Sequence, residues 1–204
     1  MLLSIDVQWM TAASGIIHEE FHSRKFAKEG GTLEMVQLWV NLPSASKMVR
    51  PKYQPILASE IPRVDLNSGY IRVIAGSYAG TQGPATTFTP MNIWDVSVKA
   101  GQTLQFEVQP NHNCLFFTRK GRICHIDGAD KRTQLATEQV AVTDRVNGSW
   151  VRLQASEEED ASVLVLSGLP LDEPIAARGP FVMNTQKELQ QAMLDYQSGK
   201  FVSN

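Results

Sequence analysis

Cysteine is nearly absent from this chain: Cys114 and Cys124 are the two in 204 residues. Both sit in strand-like apolar stretches ten residues apart. They could pair only if their strands aligned, so two buried free thiols in a reducing cytosol are expected, not a disulfide-stapled secreted scaffold. Long apolar runs are missing too. None approaches the ~18 residues of a membrane span, so no membrane partner is expected. The start, Met1-Leu2-Leu3-Ser4-Ile5-Asp6, has no basic stretch and meets an acid at once, unlike a secretory signal; a cytoplasmic location is expected. Neither sign of charge dominates. Nineteen Lys and Arg against 21 Asp and Glu leave a net charge of -2, with no electrostatic reason for direct nucleic-acid binding.

What is present is ordinary globular material, 43% hydrophobic and 20% charged, long enough for one large or two small domains with a core. Residues 69–168 read as short strands separated by turns. Tyr70–Ala75, Asn92–Val98, Thr103–Val108, Asn113–Thr118 and Arg122–Ile126 are alternating or β-branched runs, with further strands over 136–143, 150–155 and 162–166. Lys120-Gly121 predicts a hairpin between the fourth and fifth of these. Turn spacing of about ten residues indicates an all-β sandwich or barrel. Over 41–68 four prolines, Pro43, Pro51, Pro55 and Pro62, predict an extended connector. The chain ends in a helix over 185–198: Thr185-Gln186-Lys187-Glu188 is a capping box, Leu189, Ala192, Met193 and Tyr196 form one stripe, and Gly199 suits the stop.

Histidine is scarce, four in all, yet two fall in Gly15-Ile16-Ile17-His18-Glu19-Glu20-Phe21-His22 beside two carboxylates. Two geometries compete. As a helix, His18-Glu19-Glu20-Phe21-His22 satisfies H-E-x-x-H, the zinc-protease pattern. As a strand, alternation puts His18, Glu20 and His22 on one face. The flanks favour the strand. Val7, Trp9 and Thr11 are strand-prone, Gly30-Gly31 breaks the chain before a second strand candidate at Leu33–Val40, and Gly15 lies too close to His18 for an amphipathic helix. In a strand His18 and His22 stand about 13 Å apart, too far for one ion, while His18 and Glu20, about 6.6 Å apart, can converge. His22 joins only if the strand bends.

Other chemistry-bearing residues have blander readings. Gly76-Ser77-Tyr78-Ala79-Gly80-Thr81-Gln82-Gly83 lacks the Lys-Ser/Thr end of a phosphate loop and reads as a bend between strands. His112 and His125 have no partner at ligand spacing. Glu157-Glu158-Glu159-Asp160 reads as a solvated turn.

Several blocks together resemble the pirin family: Asp6-Val7-Gln8-Trp9-Met10-Thr11-Ala12, Gly15–Glu20, Gly31-Thr32-Leu33, Gln37–Pro43, Lys52-Tyr53-Gln54, Val73–Gly76 with Gly83-Pro84, and Gly179–Thr185. They run nearly the whole length in the family's order. The resemblance implies a bicupin, two β-barrel domains joined by a linker, with a C-terminal helix returning to the first domain. It also implies a mononuclear non-haem iron in the first cupin, held by three histidines and a glutamate. Bacterial members are associated with quercetin 2,3-dioxygenase activity and animal members with transcriptional co-regulation. The family's H-x-E pair falls on His18 and Glu20, with Glu20 also a base for catalysis.

One departure matters. The family's His-Pro-His motif precedes the Trp-Met-Thr-Ala block, but here eight residues precede Trp9 and no His-Pro-His occurs; Ile5 also replaces a usual glycine. The chain thus resembles a pirin lacking the first part of its N-terminal cupin. The expected layout is a partial cupin over 1–45, a linker over 46–68, a second cupin over 69–180, and a helix in 181–204 packing back on the N-terminal part. Two ligands leave iron weakly and unselectively held. A half-barrel exposes apolar surface and strand edges. The functional expectation is therefore a dioxygenase on a flavonol-like molecule with an incomplete ligand set. The alternative is a non-catalytic regulatory protein with a vestigial metal site, bound to a protein partner or to itself through the exposed half-barrel.

Overall fold

The computed structural model describes residues 6–143 and 150–200. In chain order the elements are β1 (Val7–Thr11), α1 (Arg24–Glu29), β2 (Lys52–Ile56), β3 (Arg63–Leu66), β4 (Gly69–Ala75), β5 (Ser77–Tyr78), β6 (Thr81–Gln82), β7 (Met91–Val98) and β8 (Thr103–Glu107). They continue with β9 (Asn113–Lys120), β10 (Ile123–Ile126), β11 (Arg132–Leu135), β12 (Val140–Val142), β13 (Trp150–Ala155), β14 (Ala161–Gly168), β15 (Ala176–Arg178), β16 (Phe181–Met183) and α2 (Gln186–Gln197). They fall into two units, Ile56–Pro170 on the one hand and Met1–Pro55 with Leu171–Asn204 on the other.

The Ile56–Pro170 unit is a sandwich of a six-stranded sheet, ordered β12-β9-β14-β7-β4-β3, and a four-stranded sheet, ordered β11-β10-β13-β8. Alternation builds it: β8 and β13 bury every second residue, as one-faced strands do. Ile71, Val96 and Val163 of one sheet meet Leu104, Ile123 and Leu153 of the other in a single core. An edge-on aromatic series runs through it, Tyr78 to Trp94 at 5.3 Å, Trp94 to Phe106 at 5.5 Å and Phe106 to Phe116 at 6.4 Å. Such contacts add about 0.5–1.5 kcal/mol each beyond area burial. Among the described residues the two sheets stay separate, so the fold is a sandwich and not a closed barrel.

Two local expectations fail here. β9 and β10 are not a hairpin: β9 pairs with β14 and β12, β10 with β11 and β13, and the turn crosses from one sheet to the other. Gly121 turns that corner at φ 76, where an added Cβ would lie 2.7 Å from the Asp160 carbonyl oxygen. The stretch 46–68 is also more than a connector, for it carries β2 and β3, and β3 forms an edge of the six-stranded sheet. Prolines tolerate short edge strands because no ladder partner claims their missing N–H. The glycine-rich stretch does bend, as the two-residue strands β5 and β6.

In the other unit, β1 pairs with β2, and β15 pairs with β16 across Gly179-Pro180. α2 forms as its capping box requires: Glu188 N donates to Thr185 Oγ1 at 3.2 Å, and Thr185 N donates to Glu188 Oε2 at 2.8 Å. The helix packs on β15 and β16, with Leu189 buried and the Tyr196 ring 6.0 Å from Phe181. The C-terminal segment is tied to residues 41–47. Glu173 accepts from Ser44 N at 2.8 Å, Ser44 Oγ at 3.0 Å and Asn184 Nδ2 at 3.0 Å. Lys47 Nζ donates to Asn41 Oδ1 at 2.7 Å and to the Val182 carbonyl at 3.5 Å. Burial holds the Lys47 ammonium below the usual lysine range, against the pull of Glu173 and Glu188.

Candidate metal centre

The His18 segment is launched by β1 and a tight turn. Gly15 N donates to the Ala12 carbonyl at 2.8 Å, Ser14 N donates to Val49 O at 3.1 Å, and Ala13 takes φ 43. Residues 16–22 then form neither helix nor strand. The first helical turn begins only at Arg24, where Ser23 caps α1 by accepting from Phe26 N at 3.1 Å. H-E-x-x-H therefore lies outside the helix, and the zinc-protease reading fails because its two imidazoles need one helical turn between them. No strand ladder covers the segment either. His18, Glu19, Glu20, Phe21 and His22 are all exposed, and the His22 ring leans on Phe26 at 5.1 Å.

Among the described residues no three His, Cys, Asp or Glu side chains gather closely enough to hold a metal ion. His18 and Glu20 offer two donors. A tetrahedral or octahedral ion needs more, so the residues present do not by themselves make the iron centre that the family resemblance implies.

The other histidines lie in the sandwich unit. His125 shares the inward face of β10 with Ile123 and stands 5.4 Å from the Phe116 ring. Burial lowers its pKa, Asp127 raises it and Arg152 lowers it. His112 is 7% exposed with its Nδ1 unpartnered, and burial depresses its pKa as well. Cys114 and Cys124 are free, buried thiols, and burial pushes the Cys114 pKa up to about 12. Neither is poised as a nucleophile.

Two charged features escape a sequence reading. Asp95 on β7 accepts from Arg72 Nη1 of β4 at 3.1 Å and from Arg119 Nη1 of β9 at 2.8 Å. All three alternate away from the core-facing Ile71, Val96 and Phe116. Arg72 lies within a strand of apolar residues, which is the one signal that could have flagged it. Lys47 is the other, a lysine 5% exposed in a stretch of no evident pattern.

Comparison with known proteins places this chain. The Pirin C-terminal cupin domain matches residues 93–202, and the Pirin domain matches residues 2–40. A Pseudomonas aeruginosa protein named "putative quercetin 2,3-dioxygenase" is 49% identical over 199 residues, covering 97% of this chain and 67% of that protein. Human pirin is 32% identical over 195 residues, covering 96% of this chain and 64% of its own length. A crystal structure of quercetin 2,3-dioxygenase from Acinetobacter baumannii superposes with TM-score 0.90 at 47% identity, covering 99% of this chain and 68% of that one. The chain thus spans about two thirds of the length of these relatives. No helix among the described residues is long and apolar enough to cross a membrane. With sandwich, capped terminal helix and both matches in agreement, the chain belongs to the pirin family of cupin proteins.

Proposed function

We propose that this chain is part of a pirin-type oxidoreductase that carries out a metal-dependent, quercetin 2,3-dioxygenase-type reaction on a flavonol-like substrate, with iron as the metal. The observation that carries this reading is 49% identity, sustained over 97% of the chain, to a protein named for that activity. On this reading His18 and Glu20 are two of the metal ligands, and Glu20 also accepts a proton from a substrate hydroxyl. The remaining donors come from polypeptide other than the described residues. Residues 1–45 together with the helical segment 181–204 would form part of a first cupin, and 69–180 the second.

The test is reconstitution with Fe(II) of this chain together with the polypeptide that supplies the remaining donors, metal analysis after desalting, and oxygen uptake with quercetin. Near-stoichiometric iron and uptake that disappears in His18→Ala support the enzyme. Uptake unchanged in both His18→Ala and Glu20→Gln would overturn the assignment of these ligands.

A second reading is a non-catalytic, protein-binding pirin. It is favoured by the large apolar side chains exposed between Ile17 and Val40, a surface suited to another polypeptide. That complete assembly staying free of metal and inert toward quercetin, while running above its own monomer mass, selects it.

A further inference from the structure

β10 carries an imidazole on its core-facing side. His125 pairs with Leu153 of β13 and Thr133 of β11, and its ring meets Phe116 of the other sheet at 5.4 Å. Leu153 and Phe116 are fully buried, so a charge on this ring would lie against apolar surface. Asp127, in the turn after β10, attracts an imidazolium, and Arg152 on β13 repels it. Across the core, β9 turns Cys114, Phe116 and Thr118 inward, and none of these is charged. Arg132 of β11 is spent on the outer face, where its Nη1 donates to Gln154 Oε1 at 2.9 Å, and Lys131 is exposed. Arg152 also fastens the β10–β11 turn. Its Nη2 donates to the Asp127 carbonyl at 2.6 Å and to Asp130 Oδ1 at 2.7 Å, tying that turn to β13. β11 has little else to hold it: it is an edge strand, and of its four residues Leu135 is the buried one. Such an element opens at low cost.

We propose that His125 and Arg152 form a pH-sensitive latch on the β10–β11 hairpin: with His125 neutral, Arg152 pins the turn, and an imidazolium beside it loosens the turn and releases β11. The register makes the coupling. Arg152 pairs with Ile126, the residue between His125 and Asp127, so imidazole and guanidinium are neighbours across two strands. Burial first, and Arg152 with it, hold the imidazole below its ordinary value of 6.5, against the pull of Asp127. A folded value below the unfolded one gives stability that is fully present above about pH 6.5 and is lost as pH falls through the folded value. Opening the hairpin returns the ring to water, so acid favours the open form. The latch lies wholly within the Ile56–Pro170 unit and uses neither His18 nor Glu20.

Amide protection factors across Arg132–Leu135, taken relative to intrinsic exchange at each pH, test it between about pH 7.5 and about pH 5. In the wild type they should fall severalfold toward acid, while those of β7 and β14 stay level. His125→Gln, which cannot take up the proton, should keep β11 protection nearly flat over this range. Arg152→Gln should lower it at every pH and raise the His125 pKa, read from the imidazole proton shifts by NMR. Level protection of wild-type β11 overturns the proposal. So does acid loss in His125→Gln as steep as in the wild type, or an Arg152→Gln variant that moves neither β11 protection nor the His125 titration.

Discussion

Asp95 and Arg72 face each other across β7 and β4, Nη1 to Oδ2 at 3.1 Å, with side chains only 12% and 9% exposed. Arg119 meets the other carboxylate oxygen at 2.8 Å, so one acid stands between two guanidinium groups. Water screens such a cluster little, and removing the acid takes away the carboxylate that both guanidinium groups share. Asp95→Asn is expected to cost about 3–5 kcal/mol, read as a drop in urea midpoint at the β7 amides by hydrogen exchange. A loss under about 1 kcal/mol would mean that the cluster is hydrated in solution.

Cys114 should be inert in the folded protein. Burial raises its pKa to about 12, so almost no thiolate exists near pH 8. Iodoacetamide at that pH is expected to leave Cys114 unlabelled in the native protein, read by peptide mass, and to label it after unfolding in denaturant. Rapid single labelling of native protein at Cys114 would show that β9 opens.

Acid should loosen α2 and the segment before it. The Ser44 backbone N–H, then its hydroxyl and Asn184, hold the Glu173 carboxyl below its ordinary value of 4.5. The Thr185 hydroxyl, then the Thr185 and Asn184 backbone N–H groups, do the same for Glu188. Both folded pKa values are depressed, so the stabilisation is fully present above the unfolded value and fades as pH falls through the lower folded one. Amide protection factors across α2, taken relative to intrinsic exchange at each pH, should therefore fall below about pH 4.5, with less change in Glu173→Gln and Glu188→Gln, which lack the titrating group. Equal acid sensitivity in both variants would place the effect elsewhere.

Metal retention tests the His18–Glu20 pair. Loss of an outer-shell partner typically weakens a metal site by about 10–100-fold, and loss of a ligand should cost at least that. His18→Ala and Glu20→Gln are each expected to lower Fe(II) affinity by about tenfold or more in equilibrium dialysis. His22→Ala should not, since its ring lies against Phe26. If His22→Ala were the variant that lost the metal, the ligand pair would be misassigned.

Much of the sandwich was legible beforehand because alternation in β8, β9 and β13 is local and one residue decides which face the next one takes. The capped end of α2 was legible for a similar reason: Thr185 and Glu188 satisfy each other's backbone within one turn. Other features were not. Whether β9 hands the chain to a neighbouring strand or across to the opposite sheet depends on how Gly121 packs against Asp160 and Ala161, residues almost forty positions away. That Leu33–Val40 forms no ladder depends on whether a partner strand is within reach, which no local pattern encodes.

The amino-acid order by itself determined the family, the β class, the terminal helix and the placing of two metal-type donors two positions apart, since these rest on side-chain identity and short-range periodicity. Tertiary structure alone decided that Asp95, Arg72 and Arg119 come together from three strands and that His18 and Glu20 lie exposed outside any ladder. Both outcomes rest on contacts between residues far apart in the chain, or on the lack of them, and those are settled only when whole sheets pack.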